Sequence, residues 1–298
     1  MGEPNEWRAR FDGAKHSVVY IQFAPLPGMA NEIQRLADRV RSIEDEQERR
    51  LAVRSPSTCV GFVHSSTNGD DDDAAACHLN VMTTAHALKH VYSWADPLTI
   101  EKARLFRASV VCYHREEARR LSRLPEESRR YVEAKITASS WAHDILLLTV
   151  GVEALRSFHA EVCPGPHPHP ALPVAPNMPR KAMRCMLLTW PEVDGPPRDA
   201  MGWTSCSRGV EMMSTNHLGY RMILVEVDVD SVAGMSGAPL VDADGMVIGM
   251  PHGGFGGTHS YFVACPHLYQ WARQNRTRTR IVRRIGVASS WATLIKAG

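Results

Sequence analysis

Seven prolines crowd the stretch from Cys163 to Pro179: Pro164, Pro166, Pro168, Pro170, Pro173, Pro176 and Pro179. Each lacks a backbone N–H and fixes its own φ, so neither a central strand nor a helix interior can run through this stretch. The chain is therefore expected to fold as two bodies joined by a stiff connector. The expected division is a first domain over 14–162, a proline-rich linker over 163–180, a second domain over 181–273 and a basic tail over 274–298. With 298 residues, each half is long enough to build its own core.

Short strands dominate both halves. In the first, His16 to Phe23, Thr58 to His64, Cys77 to Thr84, Ala103 to Tyr113, Tyr131 to Thr137 and the run through Val150 are rich in β-branched and apolar residues. In the second, Ala182 to Trp190, Cys206 to Met213, Met222 to Val229 and Thr258 to Ala264 read the same way. One segment changes period. Ile33, Leu36, Ala37, Val40 and Ile43 recur at helical spacing, which predicts a helix over 31–53. Its apolar stripe can pack on the β-structure or serve self-association with a second copy. Pro266 to Gln274 opens a terminal helix. Residues 1–15 read as a loose lead-in, and His114 to Arg130 as a charged, solvated excursion interrupted by Pro125. No nucleotide-binding glycine loop opens a helix after a strand, which excludes a Rossmann or P-loop reading. The expected fold class is all-β, two antiparallel six-stranded β-barrels with an inserted helix and a C-terminal helix.

Composition narrows the function classes. Apolar residues make up 44% of the chain and charged residues 22%, as in a globular protein. A net charge of +2 gives no strong field towards nucleic acid or a membrane, and the arginines of Arg273 to Arg284 are weak evidence for either. No apolar run reaches the ~18 residues of a membrane span. The charged opening residues lack the core of a secretory signal, and the seven cysteines are scattered without close pairs. Both observations lead to the expectation of an intracellular location, cytoplasm or nucleus, with reduced thiols. No metal and no cofactor is expected. The Asp70 to Asp73 run lacks calcium-loop spacing, and Cys163, His167 and His169 are too few and held extended by prolines.

The stretch Val227 to Met250 carries the chemistry. Ser236 lies between Gly234-Met235 and Gly237-Ala238-Pro239, and Asp244-Gly245 marks a hairpin turn beyond it. A tight glycine-rich loop can aim N–H groups at one point beside a serine, or it can be a plain hairpin that the serine caps. His86 ends a strand after Thr83-Thr84-Ala85, as a base or as a core histidine. Asp144 stands at the mouth of the apolar run Ile145 to Val150, where a carboxylate caps a turn or is buried with a partner. The order His86, Asp144, Ser236 is that of the two-barrel serine proteases.

With these residues the chain resembles the trypsin/chymotrypsin-like superfamily, and within it the Do-like (high-temperature-requirement) proteases, without a PDZ domain. Thr83-Thr84-Ala85-His86, His143-Asp144-Ile145-Leu146-Leu147-Leu148 and Gly234-Met235-Ser236-Gly237-Ala238-Pro239-Leu240 are similar to the three site motifs of the family. The likeness spans about 14 to 273. It implies a serine endopeptidase that hydrolyses protein or peptide substrates through an acyl-enzyme. Ser236 would be the nucleophile, His86 the base and Asp144 its orienting acid, with the N–H groups of Gly234 and Ser236 as oxyanion hole. The substrate pocket is expected at Asp230, Pro251, Gly253 and Gly254. Asp230 would favour basic side chains, whereas Do-like enzymes favour small aliphatic ones. Met235 and Ala238 depart from the family's asparagine and glycine, and they motivate the alternative of a catalytically impaired, protease-like binding or regulatory module.

Overall fold

The computed structural model describes residues 4–40, 53–67, 78–125, 128–151, 169–190, 198–204, 211–215, 221–229, 234–254 and 259–275. Six strands form a closed barrel: β1 (Val18–Pro25), β2 (Ser57–Thr67), β3 (His78–Thr83), β4 (Phe106–Cys112), β5 (Val132–Ser140) and β6 (Ile145–Gly151). Their order round the barrel is β1-β2-β3-β6-β5-β4, and every pairing is antiparallel. β1 and β6 read as near-continuous apolar runs because both of their faces are buried, whereas β5 alternates buried and exposed residues. Along β1, Val19, Ile21 and Phe23 point into the barrel core, while Val18 and Tyr20 join a second core. Leu146 and Leu148 point inward from β6, and Ile145 and Leu147 outward into that second core.

The second half is a seven-stranded sheet of β7 (Arg184–Thr189), β8 (Arg198–Thr204), β9 (Glu211–Thr215), β10 (Arg221–Asp228), β11 (Leu240–Val241), β12 (Val247–Gly254) and β13 (Ser260–Ala264), in the order β13-β12-β11-β7-β8-β10-β9. This corrects the expectation of an all-β chain with two six-stranded barrels. The fold is mixed α/β, and its second sheet is not a second six-stranded barrel. The reason lies in β10. Its first half pairs with β9 and its last two residues pair with β8, so two strands share one edge while β13 takes the other. Of the strand expected over 206–213, residues 206–210 lie outside the described residues and 211–213 fall in β9.

Helices contribute more than the sequence suggests. Helix α1 (Pro4–Ala14) occupies the expected lead-in, and its Trp7 and Phe11, one turn apart, are buried in the core shared with the second sheet. Burial of two such side chains contributes roughly 1.5–3 kcal/mol each. Helix α2 (Ala30–Arg39) buries Ile33, Leu36 and Ala37 in the barrel core, so this part of its stripe is covered within the chain. Residues 41–52 of the expected helix lie outside the described residues. The helix Tyr113–Leu121 falls in the supposedly solvated excursion, yet Arg115 and Glu116 are buried. Glu116 bridges Arg119 at 2.6 Å and Arg129 at 3.0 Å, and these guanidinium groups hold its carboxyl below the ordinary range against the cost of burial. A terminal helix spans 265–275. No helix among the described residues is long and apolar enough to cross a membrane.

The proline-rich connector is sewn to both bodies. Leu172 N–H donates to the Val63 carbonyl of the barrel, and Ala175 N–H to the Val247 carbonyl of the second sheet. The serine loop crosses back in turn, with Val60 N–H of β2 donating to the Ser236 carbonyl at 2.8 Å.

Candidate active site

Adjacent strands deliver two of the site residues to one end of the barrel. Thr83 at the end of β3 pairs with Leu146 near the start of β6, so the residues just beyond them, His86 and Asp144, emerge side by side. Asp144 follows a single 3-10 turn (Trp141–His143) in the left-handed conformation, φ 58° and ψ 42°, which aspartate tolerates better than most residues. The Asp144 carbonyl accepts from Ala85 N–H at 3.3 Å and locks the two ends together.

The Asp144 carboxylate is fully buried, and four donors surround it. Its Oδ1 accepts from the Thr84 hydroxyl at 2.8 Å and from the His86 backbone N–H at 2.7 Å. Its Oδ2 lies 2.6 Å from His86 Nδ1 and 2.6 Å from His252 Nδ1. Four acceptor positions thus meet four donors, the full capacity of a carboxylate. Burial disfavours the charged form, but the two imidazoles outweigh it and hold the carboxyl well below the ordinary range. An ionised carboxylate only accepts, so Nδ1 of each histidine carries its proton. In the neutral ring this leaves His86 Nε2 with its lone pair, and Nε2 lies 2.7 Å from the Ser236 hydroxyl. The Thr84 hydroxyl also stands 2.5 Å from His86 Nδ1.

Ser236 arrives from the second half on a loop with two positive φ values, Gly234 at 88° and Gly237 at 85°. Gly237 has a second constraint. A Cβ there would stand 2.0 Å from the Val60 carbonyl oxygen and 2.5 Å from Thr83 Oγ1. The loop therefore docks backbone to backbone on β2, and Thr83 donates to the same Val60 carbonyl at 2.6 Å. Ala238 is fully buried in the shared core and Met235 packs against it. Only a chain with small residues here can bring the serine this close to the barrel.

The trypsin-like peptidase domain matches residues 59–250. The chain belongs to that family. Among solved structures it is similar to Deg5, at 17% identity over 91% of this chain and 93% of that one with a TM-score of 0.55. It is likewise similar to the active form of the Rv3671c protease from M. tuberculosis, at 15% identity over 88% and 82% with a TM-score of 0.51. At these identities the likeness concerns the fold. No curated protein matches the sequence.

Within this trypsin-like domain, His86, Asp144 and Ser236 meet in one hydrogen-bonded group, and Gly234 lies two residues before Ser236 on the same loop. Pro251, Gly253 and Gly254, expected in the substrate pocket, lie on β12. Asp230 lies outside the described residues. Reading the sequence alone missed Thr84 and, above all, His252. The register of β12 against β13 shifts between Pro251 and Gly253, so His252 is the extra residue of a β-bulge. A bulge re-aims its side chain, here onto Asp144. It also breaks the strand period, so alternation gave no sign of an inward histidine. Two groups of described side chains bring metal-ligating atoms within 4.8 Å of one another: His86 with Asp144 and His252, and Cys112 with His114 and His169.

Proposed function

We propose that the protein is a serine endopeptidase acting on protein or peptide substrates. One observation carries the reading: His86 Nε2 is 2.7 Å from Ser236 Oγ while its Nδ1 is fixed on the buried Asp144. In the proposed reaction His86 takes the hydroxyl proton as Ser236 attacks the peptide carbonyl. The N–H groups of Gly234 and Ser236 receive the developing oxyanion. Protonated His86 then donates to the leaving amine, and water repeats the sequence on the acyl-enzyme. Asp144 holds the ring in the tautomer that keeps Nε2 unprotonated. The substrate backbone would lie along Pro251, Gly253 and Gly254, and an intracellular location is part of the proposal. Two described thiols, Cys59 and Cys265, hydrogen-bond to Thr83 and to the Asn177 carbonyl, which suits a reducing compartment.

A second reading has its own observation. His252 shares the Asp144 oxygen that orients His86, forming a His–Asp–His group in place of a dedicated pair. That favours a protease-like domain that binds peptides without cleaving them. Labelling with a fluorophosphonate probe separates the two. The peptidase reading expects labelling of the wild type, none of Ser236→Ala, and cleavage of a peptide library by the wild type alone. Peptide binding with no labelling of the wild type would leave the binding module standing and the peptidase reading refuted.

A further inference from the structure

Away from the serine, three elements converge where the connector enters. Cys112 ends β4, His114 lies in the first turn of the helix Tyr113–Leu121, and His169 begins the described connector. The His114 and His169 rings meet edge to face at 5.0 Å, and His16 stacks on His114 at 4.2 Å with the planes 7° apart. His169 is 4% exposed, and its Nδ1 lies 2.9 Å from the His16 carbonyl. A carbonyl only accepts, so His169 Nδ1 carries a proton, and in the neutral ring Nε2 carries the lone pair. That Nε2 is buried with no hydrogen-bond partner among the described residues, as are Nδ1 of His114 and Nδ1 of His16. An unpaired buried polar atom costs about 1–3 kcal/mol. His169 Nε2 thus offers a buried lone pair, and His114 and His16 offer one each in the tautomer that leaves Nδ1 unprotonated.

We propose that Cys112, His114 and His169 bind a divalent zinc-type cation through one thiolate and two imidazoles. Thiolate and imidazole are the donors that zinc selects, and they disfavour calcium and magnesium. The His16 carbonyl supplies the outer hydrogen bond that ligating histidines use to fix ring and tautomer. Bond lengths of about 2.0–2.3 Å put tetrahedral ligand atoms about 3.3–3.7 Å apart, and the three atoms already lie within 4.8 Å of one another, so they need to close by at most about 1.5 Å. Water or His16 fills the fourth position. Binding releases the Cys112 thiol proton to solvent. The site would tie the connector to the barrel, where the Ser17 hydroxyl already donates to the Pro170 carbonyl. His169 thus finds these two partners across the fold, while Cys163 and His167 lie outside the described residues. The inference is independent of peptidase activity.

The test uses the whole chain, stripped with chelator and titrated with zinc and with cobalt(II). One metal per chain is expected, with a thiolate-to-cobalt charge-transfer band and tetrahedral d–d bands, and a melting temperature that rises with zinc. Cys112→Ser should abolish the charge-transfer band, and His114→Gln should weaken binding at least tenfold and remove the melting shift. His252→Leu and Cys163→Ser should leave both signals intact. A wild-type protein that binds no metal, or binds cobalt without the thiolate band, overturns the proposal whether or not any variant folds. Binding that survives His114→Gln but is lost in His252→Leu or Cys163→Ser overturns it equally.

Discussion

Replacing Gly237 by alanine tests the joint between the two halves. The added Cβ would stand 2.0 Å from the Val60 carbonyl oxygen, where real contacts essentially never fall below 3.0 Å. The loop must therefore withdraw by about 1 Å, and the obstacle is backbone that cannot rotate away. Two costs add. An L-residue at φ 85° costs about 1–2 kcal/mol. Withdrawal also breaks the buried bond from Val60 N–H to the Ser236 carbonyl, about 1–3 kcal/mol more. The expected loss is roughly 2–5 kcal/mol in urea unfolding. Ser236 Oγ moves with its carbonyl, away from His86 Nε2. A misplacement of about 1 Å at a reacting group costs about 100-fold in rate, so fluorophosphonate labelling should slow by about that factor. Two controls separate the terms. Gly245 has φ 75° with nothing within 4 Å of an added Cβ, so Gly245→Ala should show the conformational cost alone. Gly13 sits in α1 with open space around it, and Gly13→Ala should gain about 1 kcal/mol. A Gly237→Ala protein as stable as Gly245→Ala, labelled at the wild-type rate, would refute the docking argument.

Other outcomes follow from the same geometry. His252→Leu keeps the bulge apolar but removes a charge-assisted bond to Asp144, so urea unfolding should show a loss of about 1.5–3 kcal/mol. The pH dependence has a defined sign. The folded Asp144 carboxyl lies below its unfolded value of about 4, so its contribution to stability is complete above that value and is lost as pH falls towards the folded one. Removing His252 raises the folded value, so acid unfolding followed by circular dichroism should begin at higher pH than in the wild type; an unchanged or lower midpoint would contradict this. Glu116→Gln removes the buried carboxylate that bridges Arg119 and Arg129, whose side chain is 7% exposed, and should cost about 3–5 kcal/mol, against less than about 1 kcal/mol if the segment were the solvated surface its composition suggests.

The sequence by itself determined the order and local setting of the site. A serine among small residues, a histidine ending a strand and an aspartate opening an apolar one are local patterns, and local sterics and strand period make them legible. The proline-rich stretch is legible for the same reason, since proline acts through its own φ and its missing N–H. What failed depended on partners far along the chain. Helix α1 offers only Trp7 and Phe11 among charged residues, and they become core residues only because the second sheet covers them. Glu116 looks solvated until two arginines and the barrel close over it. The second sheet departs from a six-stranded barrel because β8 and β9 divide one edge of β10, a matter of register that no window of sequence contains. His252 reaches Asp144 through a bulge, and His169 meets Cys112 and His114 across the fold. Tertiary structure alone decided these contacts, because hydrogen bonding and burial join residues by distance in space, which sequence spacing does not encode.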